Sequence, residues 1–186
     1  MKSTLTTLLG LVLVLWFVPA PAAPAQSGDS AWQYPVIKGN GGVRPLPRAE
    51  LQPDPHATYK VVFSVTKDKG EEHVNNGLFH VARAVNVFAM AGVPADHRRF
   101  VVVLHGMATW LAVDNATYKK HYGHDNPNRE LIAKLAAAGV RLVACGQALA
   151  GMNVPAAHLD PHVHLSLSAL SGLIVLQTEG YVLYPL

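Results

Sequence analysis

From Tyr59 onward the chain alternates between two kinds of segment, and this alternation limits the possible folds more than any other feature of the sequence. "YKVVFSV" (59–65), "RRFVVVLHG" (98–106), "VRLVACG" (140–146), "HVHLSLSA" (162–169) and "YVLYP" (181–185) are short apolar runs with the look of buried strands. Between the first two, Val74, Leu78, Val81, Val85 and Phe88 recur at spacings of four and three. That is one face of an amphipathic helix, which "AGVP" ends. A further helix is expected after Asn126 as its cap, with Pro127 in the first turn, Leu131 and Leu135 on one face, and Gly139 at its end. "ALAGM" reads as a short helix or turn, and "LSGLIVLQTEG" as a buried helix closed by Gly180. Strands alternating with helices imply an α/β layered domain on a mostly parallel five-stranded sheet.

The residues before Tyr59 are of a different kind. Lys2, an apolar stretch from Leu5 to Val18 and the small residues of "PAPAAPAQ" have the layout of a secretory signal peptide, with cleavage expected after Ala25 and Ala22 or Ala23 as neighbouring sites. An uncleaved anchor is the alternative, although the apolar run is short for spanning a bilayer. The expected location is therefore periplasmic or secreted. Residues 26–58 form an arm dense in proline (Pro35, Pro45, Pro47, Pro53, Pro55), which prevents regular helix or central strand. Trp32, Tyr34, Val36 and Ile37 are unusual in a tether, so the arm either docks through "WQYPVI" or is a flexible linker. The domain proper is 59–186.

Charge excludes some partners. Removing residues 1–25 takes away Lys2 alone among the charged side chains, leaving 14 basic against 12 acidic residues. Lys and Arg are scattered along the sequence, so neither nucleic acid nor, once the signal is cleaved, a membrane surface is an expected partner. No cofactor is expected.

The chemistry gathers at the expected strand ends. In open parallel sheets, ligands bind outside the carboxyl ends of the strands. Those ends carry Ser64 to Lys67, then His105-Gly106, then Cys145-Gly146. Cys145 is the chain's single cysteine, so no intramolecular disulfide or C-x-x-C pair exists, and position 148 is Ala148. At a strand-to-helix junction the helix start would stabilise its thiolate, the nucleophile of sulfur transfer, while Gly146 keeps bulk away and lets the backbone turn. The neighbours Val143 and Ala144 act in the opposite sense, since an apolar pocket favours the neutral thiol. A Cys-His hydrolase with His105 as base remains open, without a third member to name. Asn153 is a further rim residue for binding.

Ten histidines form two notable groups, "HYGH" (His121, His124) and "HLDPHVH" (His158, His162, His164). On a strand His162 and His164 would share a face, with His158 or Asp160 as a third ligand, so metal binding is one alternative. The spacing matches no known metal motif, and no metal is assigned. His73 and His80 are expected on the polar face of the first helix. The polar stretch Asp114 to Asp125 reads as an ordinary surface loop, with a lid as the alternative.

Taken in order, "YKVVFSV", "HVNNGLFHVARAVNVFAMAGV", "VVVLHGMATWL", "NRELIAKLAAAGVRLVACGQAL" and "VHLSLSALSGLIVLQTEGYVLYPL" resemble the DsrE/DsrF-like sulfur-relay family, and more narrowly its exported single-cysteine members. The likeness spans Tyr59 to Leu186, and the arm from Trp32 to Pro55 also resembles exported members. It implies a three-layer α/β/α domain that forms homo-oligomers, trimers or hexamers, with sulfur donors and acceptors (proteins or small sulfur compounds) as partners. It also implies a persulfide on Cys145, with His105-Gly106 beside it. The chain departs from the pattern in lacking both a second cysteine and a basic residue between Cys145 and Gly151. The expected role is a carrier, sulfurtransferase-like if it turns over. The alternative is a non-catalytic oligomeric binding module whose pocket Cys145 merely lines.

Overall fold

Five strands pair in parallel throughout: β1 (Tyr59–Val65), β2 (Arg98–Leu104), β3 (Arg141–Cys145), β4 (Val163–Ser166) and β5 (Val182–Pro185). Their order across the sheet is β4-β3-β2-β1-β5. The structure, a computed structural model, describes residues 31–186. The expected signal peptide and the first arm residues, 26–30, lie outside that range. The helices are α1 (Asn76–Met90), α2 (Asn115–Tyr122), α3 (Arg129–Ala137), α4 (Gly146–Gly151) and α5 (Ala169–Thr178). Among the described residues, no helix is long and apolar enough to cross a membrane.

Strand alternation divides the sheet into two faces. Phe63, Val65, Phe100, Val102, Leu104, Leu142 and Ala144 point to one face, where they join Leu78, Val81 and Val85 of α1 and Leu131, Ile132 and Leu135 of α3 in the larger core. Val62, Val101, Val103 and Cys145 point to the other and meet Ala169 and Leu176 of α5. Connection direction explains the split. From β1 to β4 each strand is laid beside the last in one direction, whereas β5 returns to the far edge beside β1. Right-handed crossovers in opposite directions place their helices on opposite faces, so α5 alone among the connecting helices covers the second. The outcome is the expected three-layer α/β/α domain.

Several elements differ in detail from the sequence reading. The stretch after Asp114 is helical, not a loop. Asp114 caps α2 by accepting from the Thr117 amide at 2.7 Å, and Gly123 ends it in the left-handed region. With no apolar stripe of its own, α2 has no periodicity to reveal it. Helix α3 starts two residues later than expected, because Asn126 folds into a local turn, accepting from the Asn128 amide at 3.0 Å. Its amide nitrogen also donates to the Leu111 and Val113 carbonyls. His73 precedes α1 and pairs with Glu71, because Asn75 caps the helix by accepting from the Gly77 amide. Strand β4 stops at Ser166, and Ser168 caps α5 through the Ser171 amide at 3.0 Å.

Helix α5 is not buried as expected. Only Ala169 and Leu176 are buried, while Leu170 is 75% exposed, Ile174 54% and Val175 52%. A helix apolar on all sides reads as buried in sequence, but a single chain offers it a neighbour on one side only.

The arm docks on the domain. Ile37 is buried, and Gln33 and Val43 form an antiparallel bridge. Asn86, fully buried on α1, holds it. Its Oδ1 accepts from the Val36 and Ile37 amides at 3.0 and 2.9 Å, and its Nδ2 donates to the Ile37, Asn40 and Gly41 carbonyls. One amide thereby satisfies five backbone groups of a segment that has no ladder of its own. Asn86→Ala is expected to cost about 2–4 kcal/mol in urea unfolding and to open residues 33–43 to limited proteolysis. An unchanged midpoint with a protected arm would show that apolar contacts alone hold the segment.

Candidate functional site

Cys145 is the last residue of β3 and faces the α5 layer, where it is 7% exposed. Its Sγ accepts a hydrogen bond from the Ala169 amide at 3.2 Å. Ala169 is the first residue of α5, so the sulfur lies at the positive end of a ten-residue helix. The sequence reading gave that role to the helix that follows Cys145 directly. In the fold, α4 is only six residues long, and the amide that reaches the sulfur comes from α5, 24 positions away. Cys145 belongs to the apolar cluster of this face, with Val62, Val101, Val103, Ala169 and Leu176.

Gly146 makes this approach possible, for a steric reason. A Cβ at this position would lie 2.7 Å from the Ser166 carbonyl oxygen and 3.1 Å from that of Leu167. The β4–α5 turn, which presents the Ala169 amide to the sulfur, thus packs directly on the backbone after Cys145.

His105 follows β2. The last paired position of β2 and β3 is Leu104↔Ala144, so His105 and Cys145 are the next residues along adjacent strands and share the parity of Val103 and Val143. Its Nε2 lies 2.8 Å from the Ser64 Oγ, with the donor set by the tautomer. Burial pushes the imidazole pKa below its ordinary value, so His105 is neutral at physiological pH. Gly106 has φ 56°, and a Cβ there would stand 3.2 Å from the Thr66 carbonyl oxygen, so the turn after His105 favours glycine. The Ala108 amide donates to that same oxygen at 3.1 Å.

Asn153 lies elsewhere on the rim. With Trp110, Thr117, Lys120, Met152 and His158 it lines a cavity of about 420 Å³, and neither Cys145 nor His105 is among the lining residues. Asn153, just past the end of α4, has φ 56° and its amide donates to the Ala150 carbonyl at 3.1 Å. The histidines are dispersed among separate contacts. His121 stacks on Trp110 at 3.9 Å, and His124 contacts the Gly70 and Asp125 carbonyls through its two nitrogens. His158 pairs with Asp114, and His162 with Asp160, which also receives Arg129 at 2.8 Å. His162 precedes β4 and does not share its ladder with His164. Among the described residues, no three His, Cys, Asp or Glu side chains are placed to hold one metal ion.

Two contributors were not singled out from sequence: Ser64 as the partner of His105, and the amide of Ala169. The first was placed at the rim by its strand end, but its pairing with His105, 41 residues away, has no local signal. The second has one, since Ser168 followed by Ser171 is a helix-start pattern, but the strand reading ran through it to Ala169.

The site is thus the carboxyl edge of a parallel α/β domain, where the Cys145 thiol accepts from the first amide of α5 and His105 ends the adjacent strand. The chain belongs to the DsrE/DsrF-like family, whose model matches residues 60–185. The family generally acts in sulfur relay with partner proteins. Among solved structures it is similar to a protein of unknown function from Methanobacterium thermoautotrophicum. The two share 21% identity over 69% of this chain and 99% of the other, with a TM-score of 0.49. No curated protein matches the sequence.

Gly146→Ala is expected to destabilise the protein by about 1–3 kcal/mol in urea, because the added methyl meets backbone that has no free rotamer. Gly151→Ala, where a Cβ meets nothing within 4 Å, is the control and should not destabilise. Equal stability of the two variants would remove the steric role given to Gly146.

Proposed function

We propose that this chain is an exported sulfur-relay protein of the single-cysteine branch, carrying sulfane sulfur as a persulfide on Cys145 in the periplasm. The observation that carries this reading is the Ala169 amide directed at Sγ, which favours negative charge on the sulfur. Family membership supports the relay, and the signal-like first residues support export.

The thiol proton passes to a base, for which His105, at the end of the adjacent strand, is the candidate. The thiolate attacks the outer sulfur of a polysulfide or persulfide donor. A new bond forms from Sγ to that sulfur, the donor S–S bond breaks, and its electron pair leaves on the donor's remaining thiolate. Sulfane sulfur is already at the oxidation level required, so no oxidant takes part. With Cys145 only 7% exposed, the donor gains access when the Ser166–Ala169 turn moves off the sulfur. The reverse attack by an acceptor thiol releases the cargo.

The chain also carries an apolar surface suited to a homo-oligomer, trimeric or hexameric. Leu167, Leu170, Ile174 and Val175, near or on α5, are all more than half exposed. A second copy seated there would bring its surface next to the α5 end that holds the sulfur. The burial of the thiol favours a second reading, a binding module in which Cys145 only lines the site. In that case Cys145→Ser leaves assembly and ligand binding intact.

Intact mass after exposure of the folded protein to polysulfide tests the relay. A gain of one sulfur atom, reversed by reductant and absent from Cys145→Ser, is the expected result. No adduct, with the thiol alkylated only after unfolding, would overturn it. Ile174→Glu tests the assembly: a smaller species by sedimentation equilibrium is expected, and an unchanged mass would exclude α5 from the interface.

A further inference from the structure

His124 is held in a way that fixes how many protons it carries. Its Nε2 lies 2.9 Å from the Gly70 carbonyl oxygen and its Nδ1 lies 3.0 Å from that of Asp125. A carbonyl oxygen only accepts, so each nitrogen has to donate, and only the imidazolium carries a proton on both. A neutral ring would turn a lone pair toward one of the two oxygens.

These contacts join separate parts of the fold. Gly70 belongs to the loop between β1 and α1 (66–75), whereas His124 and Asp125 lie between α2 and α3. The loop presses closely on α2: Gly70 has φ 64°, and a Cβ there would overlap the Tyr122 ring. Asp68 accepts from the Gly70 amide at 3.0 Å and from the Tyr118 hydroxyl at 3.4 Å. The loop is also tied at its ends. The Thr66 carbonyl accepts from Ala108, in the turn after His105, and the Asn75 side chain donates to the Lys67 carbonyl. Among the described residues, the bond from His124 to Gly70 is the one hydrogen bond that links the backbone of 68–74 to another element.

We propose that His124 is a pH-dependent latch, which ties the β1–α1 loop to the α2–α3 connection while doubly protonated and releases it when the ring loses a proton. The surroundings agree. The Asp125 and Gly70 carbonyls push the imidazole pKa above its ordinary value, and Glu72 and Asp68 on the loop add attraction. The Asp125 carboxylate itself pairs with Lys119 at 3.4 Å, and Tyr118 and Tyr122 of α2 face the ring as neutral phenols, their pKa values pushed up chiefly by burial. Because the folded-state pKa is the raised one, the hold is present below the ordinary histidine value and is lost as pH rises through the folded value. On the acid side, protonation of Asp68, whose pKa burial pushes up, removes one attraction for the ring. The latched loop starts at the rim of the candidate site, and no step of the sulfur chemistry depends on it.

Histidine nitrogen NMR and hydrogen exchange of residues 66–75, both followed across the histidine range, test the latch. His124 is expected to titrate above the ordinary value, with both nitrogens protonated on the acid side. Exchange of the loop, corrected for its intrinsic pH dependence, should rise about fivefold over the same range, as one charge-assisted hydrogen bond is lost. His124→Gln, at a half-exposed position that should not disturb folding, keeps a donor but cannot titrate, so loop exchange should become independent of pH. His73→Gln removes the exposed pair with Glu71 in the same loop and should leave the wild-type response intact. Titration of His124 at or below the ordinary value would overturn the proposal. So would a flat exchange profile in the wild type, a pH response that survives in His124→Gln, or one abolished by His73→Gln.

Discussion

Parallel pairing sends the chain back across the sheet after every strand, because the next strand must start at the same edge as the last. All five strands of this domain obey that requirement, and most of its organisation follows. The carboxyl ends of β1, β2 and β3, at Val65, Leu104 and Cys145, come together although tens of residues separate each from the next. The amino ends converge on the opposite edge, which carries Lys60, Arg98, Arg99 and Arg141. One constraint thus gives the molecule two chemically distinct edges, a thiol and imidazole at one and basic residues at the other.

The return of β5 to the far side of β1 is the second determinant. It sends α5 across the face opposite α1 and α3 and places the start of that helix over the end of β3. The sulfur environment is therefore built by a contact between distant segments. Ser168 caps the helix, Ala169 offers its amide, and Gly146 leaves room for the turn that carries both. The same course leaves the outer side of α5 apolar and bare, so the surface suited to subunit contact and the helix that holds the thiol are one element.

Asn86 shows how the rest of the chain is attached. A proline-rich segment cannot join the sheet, and its backbone groups must still be satisfied where it is buried. A single buried amide on α1 provides that, and lets Ile37 extend the core. In sequence, Asn86 stands in the middle of an amphipathic helix and resembles any polar interruption.

Local pattern was enough to reveal the strands, the first helix, the α/β class and the placing of His105 and Cys145 at strand ends, because period and composition are properties of neighbouring residues. Boundaries set by side-chain capping were less legible. Asn126 and Ser168 each had two possible structures open to them, and packing chose. Which helix end meets the sulfur, that Ser64 holds His105 and that Asn153 turns to a different cavity were decided only by tertiary structure. The physical reason is the same in each case: these are contacts between residues tens of positions apart, and strand register and the hand of the crossovers create them after the local structure is already determined.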